Sequence, residues 1–375
     1  MEFRDLKRQY QLHREEIDGA MQEVIDSSHF ILGSQVKQLE QELAEYAGVK
    51  HCIACANGTD ALQLALMAWE IGKGDAVFVP DFTFFSSGEV VPMTGATPVF
   101  ADVDKDTYNI STDSLRNAIE YVIHNTDLRP KAVVAVDLFG RPADYEEIRK
   151  IAAQYDLLVL EDAAQGFGGM AGGRKACSFG DISTTSFFPS KPLGCYGDGG
   201  AVFTDNDVWA ERLLSLRVHG KGSDKYDNVR IGMNSRLDTI QAAVLLQKLR
   251  FLEEELEACS RIAARYSERL RDFVKIPAGL GSMRSAWAQY TICLKDIEER
   301  ERVIERMKAD GIPSAVYYRK PMHRQGAFAE NLIQAVSCEN TEYICDRCLS
   351  LPFHPYMRET EIEAVCDSVK RAILQ

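Results

Sequence analysis

From about residue 50 to residue 205 the chain alternates short apolar runs with amphipathic segments, and no other feature narrows the choice of fold as much. CIACA precedes DALQLALMAWE, AVFVP precedes SSGEVVPM, TPVFADV precedes DSLRNAIEYVI, AVVAVDL precedes DYEEIRKIAAQ, and LLVLED follows. Apolar runs too short for helices, each followed by a segment with helical spacing, predict an α/β fold: a mainly parallel sheet with helices on both faces. Beyond Gly232 the pattern changes. SRLDTIQAAVLLQKLRFLEEELEACSRIAARYSERLRDF keeps apolar residues at helical spacing with no internal Pro or Gly, which predicts one or two long helices. A strand-like AQYTICL, a helix near EERERVIERMKADG and a helical ETEIEAVCDSVKRAIL then make up a smaller α+β unit. The 375 residues are expected to divide into an arm and large domain over 1–235, and linking helices with a small C-terminal domain over 236–375.

Charge and composition exclude several classes of function. With 43 basic against 56 acidic residues, the net charge of −13 argues against a broad electrostatic grip on nucleic acid, so any anionic ligand must be held locally. MEFRDLKRQYQLHREEID is charged from its second residue, and with no apolar stretch no secretory leader is expected. No apolar run approaches the roughly 18 residues of a membrane span, so a cytoplasmic protein with no membrane partner is expected. Ten cysteines include two CxxC pairs, Cys52–Cys55 and Cys345–Cys348, separated by nearly the whole chain, unlike the pairs of a zinc ribbon. The first pair lies in a buried-strand pattern, where cysteines three apart face opposite sides. Buried small hydrophobes and no metal are expected.

In open α/β sheets ligands bind beyond the carboxyl ends of the strands, which selects the loops that matter. In NGTDAL, Gly58 permits close backbone approach and Thr59 offers a hydroxyl at the start of a helix whose free N–H groups attract phosphate; the plain alternative is an Asn-Gly turn with Thr59 or Asp60 capping the helix. DFTFFSS sets Phe84 at a strand end, placed either to stack on a planar ring or to fill the core. LLVLEDAAQGFGG ends a strongly apolar strand in Glu161 and Asp162, and at least one of these carboxylates is expected to have a cationic partner. SFFPSKPLGCYGDGG holds Lys191 between prolines and a run of glycines, with Ser186 and Ser190 nearby. A phosphate cradle, an aromatic plate, an acid and a restrained lysine together suit pyridoxal phosphate. The lysine amine forms a Schiff base with its aldehyde, and the acid keeps the pyridine nitrogen protonated.

In these residues the chain resembles the pyridoxal-phosphate-dependent sugar-nucleotide aminotransferases of the DegT/DnrJ group, which have the aspartate-aminotransferase fold type I with a large, mainly parallel seven-stranded sheet. The resemblance runs in order through FILGSQVKQLEQELAEYAGVKHCIACANGTDAL, GKGDAVFVPDFTF, EDAAQGFGG, SFFPSKPLGCYGDGGA and NSRLDTIQAAVLLQKL. It implies that Lys191 is the Schiff-base lysine and the acid/base of proton transfer, and that Asp162 pairs with the pyridine nitrogen. Gln165 would lie beside the ring or bond its phenolic oxygen, Phe84 would stack on the ring face, and Ser186, Gly58 and Thr59 would bind the phosphate. It further implies a homodimer with shared active sites, in which Asn234 reaches the neighbouring subunit's phosphate. Arg236 becomes a candidate for a substrate carboxylate, with a structural ion pair as the alternative.

The implied reaction takes the amino group of L-glutamate, leaving pyridoxamine phosphate and 2-oxoglutarate, and passes it to a keto sugar nucleotide. SFFPSKPLGCYGDGG most resembles the branch that aminates the 3-position, particularly of UDP-2-acetamido-2-deoxy-3-oxo-glucuronate. Competing readings are amination of a dTDP-3-keto or 4-keto-6-deoxyhexose, a non-catalytic regulatory protein that binds pyridoxal phosphate, and a CxxC zinc protein. Where relatives commonly show a His-Tyr-Pro stretch at the sugar, this chain reads AVYYRKPMHRQ. Tyr317 and Tyr318 are its substrate-binding candidates, and Arg319 and Lys320 either meet an anionic group of the substrate or belong to a solvated loop.

Overall fold

The two faces of the central sheet are both apolar, and this dictates where the helices go. In the computed structural model, which describes residues 1–224, 226–330 and 332–374, the chain forms β1 (His51–Cys55), β2 (Asp75–Pro80), β3 (Thr97–Ala101), β4 (Arg129–Val136), β5 (Leu158–Asp162), β6 (Met170–Ala171), β7 (Arg174–Lys175), β8 (Ile182–Ser186), β9 (Gly200–Thr204), β10 (Tyr290–Cys293) and β11 (Cys348–Leu351). Seven of these make one sheet in the order β1-β9-β8-β5-β4-β2-β3. The pairs from β8 across to β3 are parallel, and β9 alone runs antiparallel to its neighbours. The seven-stranded, mainly parallel sheet is that of fold type I.

Alternation along each strand sends neighbouring side chains into different cores. Ala76 and Phe78 of β2 enter one core with the helix Ser34–Ala47, while Val77 and Val79 enter another with the helix Gly58–Ala68. A fully buried Val or Phe contributes roughly 1.5–3 kcal/mol, so a sheet apolar on both faces is stable only with both covered. Cys52 and Cys55 are divided between the same two cores, and all ten cysteines are free and buried.

The long helical stretch resolves into two helices, Thr239–Leu249 and Leu252–Leu270, with the break at Arg250–Phe251. The second leads to a third core, where Tyr266, Leu270, Tyr290 and Leu349 pack between the β10–β11 pair and the helices Ile297–Ala309 and Glu359–Ile373. The opening residues lie against this C-terminal unit: Phe353 N donates to Phe3 O at 3.0 Å, and Arg8 Nη1 donates to Tyr356 O at 2.8 Å. Among the described residues no helix is long and apolar enough to cross a membrane. The carboxyl ends of β1, β2, β5 and β8 point the same way, and the loops singled out in the sequence converge there.

Candidate active site

The glycine-rich segment after β8 is shaped by close backbone approach. Lys191 N donates to Phe188 O at 2.9 Å, and Cys195 N returns to Phe187 O at 2.8 Å. A Cβ at Gly194 would sit 2.5 Å from Pro189 O, so only glycine lets the chain fold back here. This turn presents Lys191 to a cavity of about 470 Å³ bordered also by Gly58, Thr59, Asp162, Gln165 and Ser186. Phe84, Tyr317 and Tyr318 border it as well. The structure thus brings together all the cofactor candidates except Asn234.

Desolvation lowers the Lys191 amine to about 8, and the Asp162 charge works against part of that fall. Asp162 is pushed upward by burial, opposed by the Ser87 hydroxyl, which donates to Oδ2 at 2.7 Å, and by Ala164 N, which donates to Oδ1 at 3.1 Å. Ser87 Oγ lies 2.9 Å from Thr83 Oγ1, so a chain of hydroxyls fixes the carboxylate from behind. Sequence reasoning missed Ser87, although it lies in the DFTFFSS loop; its signal is its position in the first turn of the helix Ser86–Met93.

The two acids meet their burial in different ways. Asp162 has the Lys191 charge as its cationic partner, which lowers it, although among the described residues neither acid forms an ion pair within 4.0 Å. Glu161 is instead surrounded by donors: Cys177 N at 2.6 Å, Phe179 N at 2.7 Å, Gly180 N at 3.2 Å and Ser183 Oγ at 2.7 Å. Four hydrogen bonds meet its burial without a cation, and the residue serves packing rather than the cavity. Neither Thr59 nor Asp60 caps the helix Gly58–Ala68. Asn57 does so, its side chain accepting from Asp60 N at 2.8 Å, while Thr59 Oγ1 pairs with Ser86 Oγ at 2.8 Å.

The start of this helix, at Gly58 and Thr59, borders the cavity beside Ser186. A Cβ on Gly58 would lie 2.7 Å from Ser186 Cβ, so the glycine lets Ser186 pack against the start of the helix. Gln165 is clamped at both ends of its amide: Oε1 accepts from Phe139 N at 2.8 Å and Nε2 donates to Tyr318 Oη at 3.2 Å. Phe84 is 54% exposed, its ring centroid 6.4 Å from that of Tyr318, so it fills no core and offers a free face to the cavity. A cradle only glycine permits, a desolvated amine and an acid with spare lone pairs fit pyridoxal phosphate in its three distinguishing parts.

The remaining candidates lie elsewhere. Asn234 is exposed and Arg236 half-buried; Arg236 Nη2 donates to Asn234 Oδ1 at 2.5 Å, and neither borders the cavity of its own chain. Among the described residues Arg236 has no carboxylate partner within 4.0 Å. Arg319 pairs with Glu301 at 3.0 Å and stays outside the cavity, as does Lys320. Tyr196 also lies outside, with Lys248 Nζ 4.9 Å from the centre of its ring. Gln289, given no role in the sequence reading, does border the cavity.

A buried lysine and acid beyond the strand ends of this sheet, sharing one cavity with the start of a helix at Gly58, are the arrangement of a fold type I pyridoxal-phosphate enzyme. Residues 11–370 match the DegT/DnrJ/EryC1/StrS aminotransferase family, and the chain belongs to that family. It is 41% identical over 367 residues to the UDP-2-acetamido-2-deoxy-3-oxo-D-glucuronate aminotransferase of Pseudomonas aeruginosa, with 98% of each chain covered. A DegT/DnrJ/EryC1/StrS aminotransferase from Brucella abortus has a similar structure, with 47% identity, a TM-score of 0.97 and both chains covered completely. NtdA from Bacillus subtilis, solved with bound cofactor PMP, is 28% identical with a TM-score of 0.88, covering 97% of this chain and 82% of that one. The chain is a pyridoxal-phosphate-dependent aminotransferase that acts on a sugar nucleotide.

Proposed function

We propose that this enzyme moves the amino group of L-glutamate to the 3-oxo carbon of UDP-2-acetamido-2-deoxy-3-oxo-glucuronate, as a homodimer with shared active sites. The observation that carries the reading is the Lys191 amine, desolvated to about 8 and facing the same cavity as Asp162 and the Gly58 cradle. The acceptor is supported by the likeness to the Pseudomonas enzyme over almost the whole of both chains.

Bound pyridoxal phosphate supplies an aldehyde for amine exchange and a ring that accepts electrons. Gly58, Thr59 and Ser186 would hold its phosphate, Phe84 would cover a ring face, and Gln165 would lie beside the ring, its amide fixed by Phe139 and Tyr318. Asp162, with Ser87 behind it, would hold the proton of the ring nitrogen. Lys191 Nζ would move a proton between the substrate carbon and the cofactor carbon in each half-reaction; an amine near 8 can both lose and regain a proton close to neutrality. Tyr317 and Tyr318 would face the sugar. Asn234, outside the cavity of its own chain, would complete the phosphate site of the partner subunit, with Arg236 beside it for a substrate carboxylate.

The test is spectroscopic. Adding glutamate to the loaded enzyme should shift the visible band to the near ultraviolet, and the keto sugar nucleotide should restore it. A band indifferent to glutamate would overturn the donor. Restoration by a dTDP-3-keto or 4-keto hexose alone would overturn the acceptor, and a protein that binds the cofactor without either change would be a regulatory one.

A further inference from the structure

The first residues of the chain reach back to the lysine turn. Phe3 and Arg4 lie just ahead of the helix Leu6–Leu12, whose place is fixed by Arg8 Nη1, donating to Tyr356 O at 2.8 Å, and by Gln9 Nε2, donating to Glu255 Oε1 at 2.8 Å. Phe3 O accepts from Phe353 N at 3.0 Å, and the Phe3 ring meets that of Tyr317 edge-on with the centroids 6.3 Å apart. Arg4 Nη2 donates to the backbone oxygen of Lys191 at 3.1 Å.

The turn that presents Lys191 lies outside helix and strand, so its backbone groups need partners from elsewhere. Side chains supply them. Lys248 Nζ donates to Gly194 O at 2.6 Å, and Gln241 Oε1 accepts from Tyr196 N at 2.8 Å, both from the helix Thr239–Leu249. At the Lys191 end the donor is Arg4, and among the described residues that carbonyl has no other. Packing alone is a poor reason for an arginine here. Its Nη1 is buried without a hydrogen bond, and among the described residues the guanidinium has no carboxylate partner. Its unpaired charge is felt at the Lys191 amine: burial lowers that amine most, Asp162 raises it, and Arg4 lowers it further.

We infer that Arg4 is a positioning residue of amine transfer: its guanidinium holds the Lys191 peptide and sets a positive charge beside the lysine, while Phe3 ties the same arm to the Tyr317 wall of the cavity. The inference rests on the reading of Lys191 as the Schiff-base lysine and proton carrier. A lysine that must lose and regain a proton in each half-reaction is served by a neighbouring cation that eases the loss, and by a peptide held still while its side chain works.

The experiment is a pH titration of the visible band of the loaded full-length enzyme, which follows the proton on the Lys191 nitrogen, with the rate of the spectral change on adding glutamate as a second readout. Arg4→Met keeps an unbranched stem and removes both charge and donors. The midpoint of the band should rise above that of wild type, and the glutamate rate should fall about tenfold, the scale of a lost hydrogen bond to a charged group. Arg4→Gln removes the charge but keeps an amide donor; it should raise the midpoint in the same direction, and it serves if Arg4→Met does not fold. Arg4→Lys keeps the charge and should hold the midpoint at the wild-type value. Neutral variants with the wild-type midpoint would overturn the role whatever their rates, since loosened structure alone slows the enzyme without moving the proton. A midpoint moved as far by Arg4→Lys as by Arg4→Gln would overturn it as well. Wild-type protein whose cofactor is not linked to Lys191 by borohydride reduction would instead overturn the reading of Lys191 on which this role depends.

Discussion

Lys191 carries the chemistry proposed above, and its environment makes its titration measurable. An amine must be neutral to attack an aldehyde, and desolvation places this one near 8 rather than 10.5. Cofactor uptake by the apoprotein should therefore speed up as pH rises, with a midpoint near 8. Stopped-flow absorbance across that range checks it, and a midpoint near 10.5 would mean that the amine is solvated. Lys191→Ala removes the proton carrier and should lower the rate of amine transfer by at least roughly 10²–10⁴-fold. Ser87→Ala tests the support behind Asp162: the buried carboxylate loses the donor at 2.7 Å, which should weaken the site by about 1–3 kcal/mol, read as slower amine transfer with the cofactor still bound. Lys191 and Asp162 were legible in the sequence because an expensive group in an apolar or restrained setting needs a reason. Ser87 and Arg4 were not: a serine among aromatic residues or an arginine near the amino terminus is ordinary, and only their placement gives them a role.

Among the elements, the parallel strands were the easiest to read, since burial on both faces leaves uninterrupted apolar runs such as AVFVP and LLVLE. The helix cap was not legible because Asn57, Thr59 and Asp60 can all cap, and only the folded backbone shows that Asn57 accepts from Asp60 N. The break at Arg250–Phe251 has no proline or glycine to mark it. Least visible was the joining of the Phe84 loop to the Tyr317–Tyr318 segment. Asp81, fully buried just ahead of Phe84, accepts from His323 N at 2.8 Å and pairs with His323 Nδ1 at 2.7 Å. The hydrogen bond to Asp81 raises His323 above 6.5. A raised histidine contributes stability that is complete below 6.5 and is lost as pH climbs through the folded value. His323→Asn should therefore cost more in acid than in base, about 1.5–3 kcal/mol at the acid end, the range for a hydrogen bond to a charged group. Urea titrations of both proteins at about pH 6 and pH 9 give the comparison, and a difference independent of pH would show that His323 is neutral in the fold.

At the scale of the molecule, one chain encloses the lysine, acid, aromatic plate and cradle but leaves Asn234 outside its own cavity. The segment leading to Asn234 is also unusually apolar for a free surface: Ile231 is 90% exposed and Val229 53%. Apolar side chains so exposed beside a polar candidate mark a surface made to be covered. A two-fold dimer would cover it and carry each Asn234 toward the other subunit's cradle. Ile231→Asp should accordingly shift the protein toward monomer in sedimentation and lower its cofactor retention together with its mass. The sharing of sites has its own signature. Lys191→Ala and Asn234→Ala chains are each expected to be impaired alone, but in a hybrid dimer one site combines the intact Lys191 of one chain with the intact Asn234 of the other. Random mixing makes half the dimers hybrids with one such site each, so activity should recover to about a quarter of wild type. If Asn234 served its own subunit, every site in the mixture would carry a lesion, and mixing would restore nothing.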